Sequence, residues 1–351
     1  MEIAKAISSN VRVLVLDEPT ASITDTETRM LFGIIRELTA KGIGIVYISH
    51  RLSELFEIGN RCTILRDGEY VDTVKLDETN EAALTRMMVG REISFNRLPP
   101  HEIGEPVLEI KNIFYRKLLR DVSFTLRKGE ILGISGLIGA GRTELAKCII
   151  GVYTADSGEV LYNGKKLKCR LPDTITQGIV YLSEDRKDEG LILSHSIQEN
   201  IALPNLKRYG RILLKWKAIS EMVKDSIAKL RIRTHSHHNA VQNLSGGNQQ
   251  KVVIAKWLKT GAHVYIFDEP TRGIDVGARN EIYNIMHELI KNGVSIVMIS
   301  SDMTEIMKMC DRIAVMRKGC IVSTFDNNED LTQEQILTCM LQGKEKHEYA
   351  S

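Results

Sequence analysis

The sequence predicts an α/β fold with a largely parallel sheet, present in two copies along the chain. Three observations support this prediction. Short apolar strands alternate with helical segments, a glycine-rich turn separates one such strand from a helix, and a block near the N-terminus recurs in the second half. With 43% hydrophobic and 26% charged residues, the 351-residue chain can bury a sizeable core.

The predicted strands differ in their patterns. Residues 107–110 and 122–126 alternate between apolar and polar side chains, as antiparallel strands do. Residues 130–135 form an apolar run that leads into the glycine-rich turn, and a helix is predicted over residues 142–150. Further core strands are predicted at residues 180–182, 264–267 and 295–299.

The internal repeat is defined by a constant offset. The sequence VLVLDEPT at residues 13–20 returns as VYIFDEPT at residues 264–271, so the offset from Asp17 to Asp268 is 268 − 17 = 251 residues. The same offset relates Gly42 to Gly293, Ser49 to Ser300, Arg61 to Arg312 and Gly68 to Gly319. The chain therefore holds two copies of one unit of domain size.

The first copy is the shorter one, because it has no counterpart of residues 107–251. We expect an N-terminal truncation; the alternative is a naturally short module, which would leave open sheet edges and exposed apolar faces. The predicted domains are residues 1–92, the C-terminal part of a first domain, and residues 107–345, a complete second domain. Residues 93–106 between them carry three of the seven prolines and are predicted to be a linker.

The charge balance and the hydropathy pattern restrict the classes of partner. There are 47 basic and 45 acidic side chains, a net charge of +2, and a nucleic-acid partner is therefore not expected. No run reaches the ~18 consecutive apolar residues of a membrane helix, and no signal-peptide pattern is found, so we expect a cytoplasmic location. The six cysteines include no C-x-x-C pair and are expected to be reduced.

The glycine-rich turn has the pattern of a phosphate loop. Residues 136–143 (GLIGAGRT) fit G-x-x-x-x-G-K-[ST], with Arg142 in place of lysine. The glycines let the backbone wrap a phosphate, and the N–H groups at the start of the next helix attract its charge. Arg142 keeps the positive charge in a bulkier, planar group, and the Thr143 hydroxyl is a ligand for Mg²⁺. A plain glycine turn is the alternative, which the position between strand and helix disfavours.

Two Asp-Glu pairs follow apolar strands, one in each copy. Asp17 and Asp268 are placed to hold Mg²⁺ through water, and Glu18 and Glu269 to polarise a water that attacks a phosphate. An Asp-Glu-Pro turn is also common without a function, but its duplication at a fixed offset favours a chemical role.

The sequence LSGGNQQ at residues 244–250 resembles the signature motif of ABC nucleotide-binding domains. The order of phosphate loop, signature, Asp-Glu pair and switch position matches that family over residues 107–342. GRTE at 141–144, SEDRKDEG at 183–190 and ISSD at 299–302 resemble the second half of the tandem ATPases of ribose, galactose and xylose importers. The resemblance implies a P-loop NTPase fold of the ABC type, in which a mixed sheet core with helices carries an antiparallel β subdomain and a helical subdomain. It also implies an ATP-hydrolysing subunit that energises sugar import.

The motifs and the resemblance together give the predicted site. Phe114 and Tyr115 are candidates for stacking on adenine, with a place in the core as the alternative. The residues expected to bind ATP are Phe114, Tyr115, Gly136, Leu137, Ile138, Gly139, Ala140, Gly141, Arg142, Thr143, Glu144, Leu244, Ser245, Gly246, Gly247 and Asn248. The expected catalytic residues are Glu18, His50 and Glu269, and the expected Mg²⁺ ligands are Asp17, Thr143 and Asp268. The second copy is the degenerate one by this resemblance, because Ser301 stands where the first copy has His50 at the switch position.

The resemblance also implies partners. In this family two composite sites form between domains, and the signature of one domain caps the γ-phosphate bound by the other. Neither site is then complete within this chain, and hydrolysis is expected to need a second ATPase chain. The implied partners are membrane permease subunits, contacted by residues 185–200, and indirectly a periplasmic or extracellular sugar-binding protein. The implied location is peripheral, on the cytoplasmic face of the membrane.

Two other functions are compatible with the motifs. One is a non-hydrolysing module in which ATP is a structural or regulatory ligand. The other is an ABC ATPase outside transport, acting on ribosomes or DNA. The small net charge and the sugar-type GRTE sequence disfavour the second of these.

Overall fold

A computed structural model describes residues 11–20, 25–49, 52–66, 69–81, 83–84, 87, 101–210 and 213–342 of the chain. It divides into two units: residues up to 94 together with 275–277 form the smaller one, and residues 95–274 and 278 onward form the larger one. The division falls inside the segment predicted as a linker, and the predicted domain bounds remain predictions. None of the helices in the described ranges is long and apolar enough to cross a membrane.

The described part of the smaller unit contains a parallel and an antiparallel strand pair. Its strands are β1 (Val13–Asp17), β2 (Gly44–Ile48), β3 (Arg61–Arg66) and β4 (Glu69–Lys75), and its helices are α1 (Asp25–Ala40) and α2 (Leu52–Ile58). β1 and β2 pair in parallel, and β3 and β4 pair antiparallel. Leu14 and Leu16 of β1 pack with Leu31, Phe32 and Ile35 of α1 in one of the two apolar clusters described in this unit.

The larger unit contains more elements. Its described strands are β5 (Pro106–Tyr115), β6 (Leu119–Arg127), β7 (Ile131–Gly136), β8 (Ser157–Tyr162), β9 (Lys165–Lys166), β10 (Ile179–Leu182), β11 (Val264–Asp268), β12 (Ser295–Ile299), β13 (Arg312–Arg317) and β14 (Cys320–Asp326). Its described helices are α3 (Arg142–Ile150), α4 (Leu171–Thr176), α5 (Ile197–Ala202), α6 (Trp216–Lys229), α7 (Gly246–Leu258), α8 (Val276–Lys291), α9 (Met303–Met309) and α10 (Gln333–Gln342). A π-helical turn lies at Arg186–Gly190.

The central sheet of the larger unit has the strand order β10-β11-β12-β7-β13-β14. The first five strands pair in parallel, and β14 is antiparallel to β13. Every residue of β7, β11 and β12 is buried, because parallel strands in the middle of such a sheet are covered on both faces.

The two faces of this sheet pack against different layers. On one face, Val264 and Ile266 share a core with α3 and with the antiparallel sheet β6-β5-β8-β9. On the other face, Tyr265 and Phe267 share a core with α5, α6, α7 and α8. The structure confirms the predicted fold: a mixed sheet with an antiparallel β subdomain on one side and a helical subdomain on the other.

The repeat is visible in the secondary structure. Each strand and α-helix named above for the smaller unit returns 251 residues later with the same bounds, from β1 and β11 (264 − 13 = 251) to β4 and β14 (320 − 69 = 251). A bulge between Ile64 and Leu65 in the β3–β4 pair returns between Val315 and Met316 in the β13–β14 pair. The two copies therefore share a backbone plan down to its irregularities.

The copies differ in how their parallel strands are covered. Four apolar side chains of β1 and β2 are 47–59% exposed, although their counterparts in β11 and β12 are at most 1% exposed. The exposed residues are Val13, Val15, Val46 and Ile48, and the buried counterparts are Val264, Ile266, Val297 and Ile299.

Candidate functional site

The phosphate loop connects β7 to α3. Its glycines have the backbone freedom that the loop needs: φ is +79° at Gly139 and +100° at Gly141, a region that other residues rarely adopt. A Cβ at Gly136 would lie 3.1 Å from Ala140 Cβ and closer still to the Met316 carbonyl. α3 begins directly after Gly141, so its first N–H groups face the loop and favour an anion there. The Ile138 side chain is 94% exposed, so it packs little against the rest of the loop.

Arg142, the first residue of α3, is almost buried, with its side chain 10% exposed. Its Nη2 atom lies 3.5 Å from Glu269 Oε1. Its Nη1 atom is buried and has no hydrogen-bond partner among the residues that the structure describes. A buried donor of this kind is costly unless a ligand or water satisfies it.

Asp268 ends β11 beside the same loop and is 1% exposed. Tyr181 donates a hydrogen bond to Asp268 Oδ2 at 2.8 Å, whereas Oδ1 is buried without a hydrogen-bond partner in the described ranges. Burial raises the pKa of Asp268, and the hydroxyls of Tyr181 and Thr143 and the charge of Arg142 oppose this rise. The structure thus brings together the predicted Mg²⁺ ligands of the second copy, Asp268 and Thr143.

These donors fit Mg²⁺ better than most metals. The described residues contain no group of three or more His, Cys, Asp or Glu side chains able to hold a metal. Mg²⁺ is commonly bound by one or two carboxylates together with waters and substrate phosphates, so a single carboxylate with one free oxygen and a nearby hydroxyl suits it.

Glu269 has a strained backbone and two side-chain partners. Its φ is +47°, and its N–H donates to the Ile299 carbonyl at 2.8 Å. Ser301 donates to Glu269 Oε2 at 3.1 Å, and Arg142 lies on the other carboxylate oxygen. Burial raises the pKa of Glu269 to about 7, against the charge of Arg142 and the Ser301 hydrogen bond. Ser301, at the predicted switch position, therefore contacts the predicted catalytic carboxylate.

The first-copy residues occupy equivalent backbone positions. Asp17 ends β1, and Glu18 repeats the geometry of Glu269, with φ of +43° and an N–H that donates to the Ile48 carbonyl at 2.9 Å. His50, the predicted switch residue of the first copy, lies outside the described residues.

The signature residues form the start of α7. Ser245 precedes the helix, and the Asn248 amide donates to its hydroxyl at 2.9 Å. A Cβ at Gly246 would lie 2.7 Å from Arg186 Nη2, and one at Gly247 would overlap Ala278. Close packing therefore also requires glycine at positions 246 and 247, in addition to the ligand contact that the sequence predicts.

Of the two candidate aromatic residues, Phe114 is 39% exposed and Tyr115 is 6% exposed. The Tyr115 ring stacks on Tyr153 with centroids 5.2 Å apart, and the Arg116 guanidinium lies 5.1 Å from its centroid. Tyr115 thus has a place in the core, the alternative left open by the sequence, and Phe114 has the accessible ring.

Known proteins resemble the chain in both sequence and structure. A family model for ABC transporters matches residues 119–272. The ribose import ATP-binding protein RbsA of Bacillus licheniformis is 47% identical over 348 residues, which cover 98% of this chain and 70% of that protein. The xylose import ATP-binding protein XylG of Thermoanaerobacter pseudethanolicus is 47% identical over 356 residues, with the same two coverages. The chain belongs to the ATP-binding proteins of ABC importers.

Solved structures agree on the fold of this ABC ATPase. A nucleotide-free ATP-binding cassette from an ABC transporter has a TM-score of 0.57 at 24% identity and covers 66% of this chain and 95% of its own. A dimeric cassette in a post-hydrolysis state, bound to ADP and phosphate, has a TM-score of 0.56 at 20% identity, with coverages of 63% and 99%.

Several polar residues near the candidate nucleotide site of the ABC ATPase were not predicted from the sequence. Besides Tyr181, they include a chain of contacts in which Glu189 accepts hydrogen bonds from Lys147 of α3 and from Ser183, both at 2.6 Å. Arg186 donates to the carbonyls of Arg272 and Gly273 at 2.8 and 3.2 Å. The contacts of Glu189 with Lys147 and of Arg186 with Arg272 and Gly273 join segments that are 42 to 87 residues apart, so the sequence pattern did not predict these pairings.

A second group could have been found from the repeat. Thr271 donates to the buried carboxylate of Glu305 at 2.8 Å, and Ser300 also donates to it. In the first copy, Thr20 and Ser49 donate to Glu54 at 2.7 and 2.8 Å. The threonine, the serine and the glutamate each recur 251 residues later, and this repetition is the signal from which the shared hydrogen bonds could have been predicted.

Proposed function

We propose that this ABC ATPase energises the import of a sugar and that its larger unit binds Mg-ATP at residues 136–143. One observation carries the proposal most strongly. A buried cation and a buried carboxylate, Arg142 and Asp268, each retain one atom without a hydrogen-bond partner in the described structure, and both lie beside an anion-binding loop. A phosphate chain with its metal ion supplies what each of these atoms lacks.

Each residue then has a definite task. Arg142 binds phosphate oxygens, for which a planar guanidinium with several donors is well suited. Thr143 and Asp268 hold Mg²⁺, which neutralises charge on the phosphates. Glu269 polarises the attacking water, and a carboxylate with a pKa of about 7 can accept a proton at neutral pH.

Hydrolysis requires more than the larger unit alone. Residues 244–248 resemble the ABC signature, which in that family caps the nucleotide bound by a second cassette. The structurally similar cassette that carries ADP and phosphate is dimeric. We therefore infer a composite site that needs a second ATPase domain. One observation favours a slowly hydrolysing or non-hydrolysing site as the second candidate: Glu269 is held by Arg142 and Ser301.

The proposed docking site for the permease is a cavity of about 300 Å³ in the larger unit. Its apolar walls come from α3, α4, β10 and α7, and Lys147 and Glu189 add charge. It borders residues 185–200, the segment that the family resemblance assigns to the permease. An amphipathic permease segment fits such a cavity and would hold the chain at the cytoplasmic face of the membrane.

The sugar class follows from the relatives. Their names specify ribose and xylose, both pentoses, so a pentose is the proposed cargo. The permease and the external binding protein, rather than this chain, would select it.

ATP binding is tested by equilibrium titration of the full chain with ATP. Arg142→Ala should weaken binding about 10- to 100-fold, because a hydrogen bond to a charged group contributes about 1.5–3 kcal/mol. Arg208→Ala is the control, since Arg208 donates to the carbonyls of Lys259 and Thr260 rather than to a residue of the phosphate loop, and the variant is expected to keep the wild-type affinity. Equal affinity of the Arg142 variant and the wild type would contradict the proposed site.

The docking cavity is tested by Leu171→Asp, which places a charge on its apolar wall. Leu171 is 40% exposed, and Leu337→Asp on α10, at 45% exposure, is a matched control outside the cavity. We expect the Leu171 variant to keep ATP binding but to lose ATP-dependent pentose uptake and co-purification with the permease. Normal uptake in that variant would exclude this cavity as the docking site.

A further inference from the structure

Tyr181 contacts the metal-binding carboxylate directly. It lies on β10, which pairs in parallel with β11, the strand that ends in Asp268. Its hydroxyl occupies Asp268 Oδ2 at 2.8 Å, while Oδ1 remains buried without a hydrogen-bond partner in the described part of the chain. One carboxylate oxygen is therefore fixed by the protein, and the other is left for a ligand.

The Tyr181 ring is itself fixed by its surroundings. In the strand ladder Tyr181 is paired with Ile266, and the ring packs against the core that contains α3. Ser183, two residues further along, is bonded to Glu189, which in turn pairs with Lys147 of α3. The phenol therefore donates from a position that the sheet and α3 determine together.

An aspartate carboxylate rotates easily about its last torsion, because sp³–sp² torsions are broad. A single hydrogen bond to one oxygen restricts that rotation and decides which oxygen is available to a metal. Ligands of metals are commonly oriented in this way by partners that do not touch the metal themselves.

We propose that Tyr181 is a positioning residue for the metal: it holds the Asp268 carboxylate so that Oδ1 stays available to the Mg²⁺ that accompanies the nucleotide. This inference rests on the proposed function, in which residues 136–143 bind Mg-ATP. Tyr181 lies 87 residues before Asp268 in the sequence and outside the phosphate-loop, signature and Asp-Glu motifs.

The test is Tyr181→Phe in the full chain, a change that removes the hydroxyl and keeps the ring. ATP affinity is measured in EDTA and across a Mg²⁺ titration, and Mn²⁺ binding in the presence of ATP is followed by electron paramagnetic resonance. We expect ATP affinity in EDTA to be unchanged. The Mg²⁺ and Mn²⁺ midpoints should rise about tenfold, the effect expected for one hydrogen bond to a charged group.

Tyr265→Phe is the matched control. Tyr265 lies on the neighbouring strand β11, is 1% exposed, and donates to the Trp257 carbonyl at 3.3 Å rather than to a site residue. Removing this hydroxyl tests the loss of a buried tyrosine hydrogen bond in the same sheet, and the metal midpoints should not move.

A double-mutant comparison adds a second readout. Asp268→Asn should abolish most of the Mg²⁺ dependence, and Tyr181→Phe in that background should then cause no further loss, since the two residues act as one unit. Additive losses would overturn the inference.

The remaining outcomes are equally decisive. Unchanged metal midpoints in Tyr181→Phe overturn the inference, and so does an equal loss of ATP affinity in EDTA, because that pattern belongs to a residue that only supports the fold. A wild-type chain that binds no ATP in either condition refutes the proposed function itself and removes the inference with it.

Discussion

Replacing Glu269 with glutamine removes the charge that holds Arg142 and keeps the size of the side chain. Arg142 Nη2 and Glu269 Oε1 are 3.5 Å apart, and their side chains are only 10% and 11% exposed. Two unit charges at this distance attract by about 5 kcal/mol at an effective dielectric of ~20, and desolvation offsets most of this. If about 1–2 kcal/mol remains, ATP phosphates that compete with Glu269 for the guanidinium should bind about 5- to 30-fold more tightly in Glu269→Gln.

Two measurements check this prediction: equilibrium ATP binding and phosphate release. We expect tighter binding together with slower release, a combination that damage to the fold does not produce. Glu18→Gln changes the equivalent residue of the other copy and should leave binding at residues 136–143 unchanged. The gain should also vanish in an Arg142→Ala background. A gain that persists there would contradict this prediction, because it would come from general repulsion between Glu269 and the phosphates and not from the release of Arg142.

Three further predictions concern stability and are measured by urea unfolding with the transitions of the two units followed separately. Val264→Ala should lower the free energy of unfolding by about 2 kcal/mol and Val13→Ala by less than about 0.5 kcal/mol, because Val264 is buried and Val13 is 59% exposed. Equal losses would mean that the β1 face is covered in solution. Thr271→Val and Thr20→Val should each lower the free energy of unfolding by about 1–3 kcal/mol, because each removes the threonine hydroxyl that donates to a buried carboxylate oxygen. A clear difference between the two losses would show that the two hydrogen-bond networks are not equivalent. Gly247→Ala should cost about 1–3 kcal/mol through overlap with Ala278, and a neutral result would show that the start of α7 can move.

The central strands and the phosphate loop could be predicted because their signals are local. The strand Ser295–Ile299 and the helix Arg142–Ile150 have the predicted bounds. An apolar run ended by turn residues, or a glycine-rich turn followed by a helix, carries its own limits in the sequence. The repeat added long-range information, because an element found in one copy fixes its counterpart in the other.

The polar contacts of the site could not be predicted in the same way. The bond between Tyr181 and Asp268 joins two strands that are neighbours only in the folded sheet, and nothing in the residues around Tyr181 marks it. The same holds for the pairing of Arg142 with Glu269. The sequence left open whether Phe114 and Tyr115 stack on adenine or lie in the core, because which of two adjacent aromatic residues is buried depends on what packs beside them.

The hydrogen bonds around Glu54 and Glu305 are the same in both copies, although the residues at the predicted switch position are chemically different. In both copies a threonine and a serine donate hydrogen bonds to a glutamate in the first turn of the following short helix. The residue after the serine is His50 in one copy and Ser301 in the other. The same hydrogen bonds thus form in both copies although the residue that follows the serine in the sequence differs. Duplicated domains can therefore come to differ in the residue at the switch position at little cost in folding stability. The substitution Ser301→His would give the second copy the switch residue of the first.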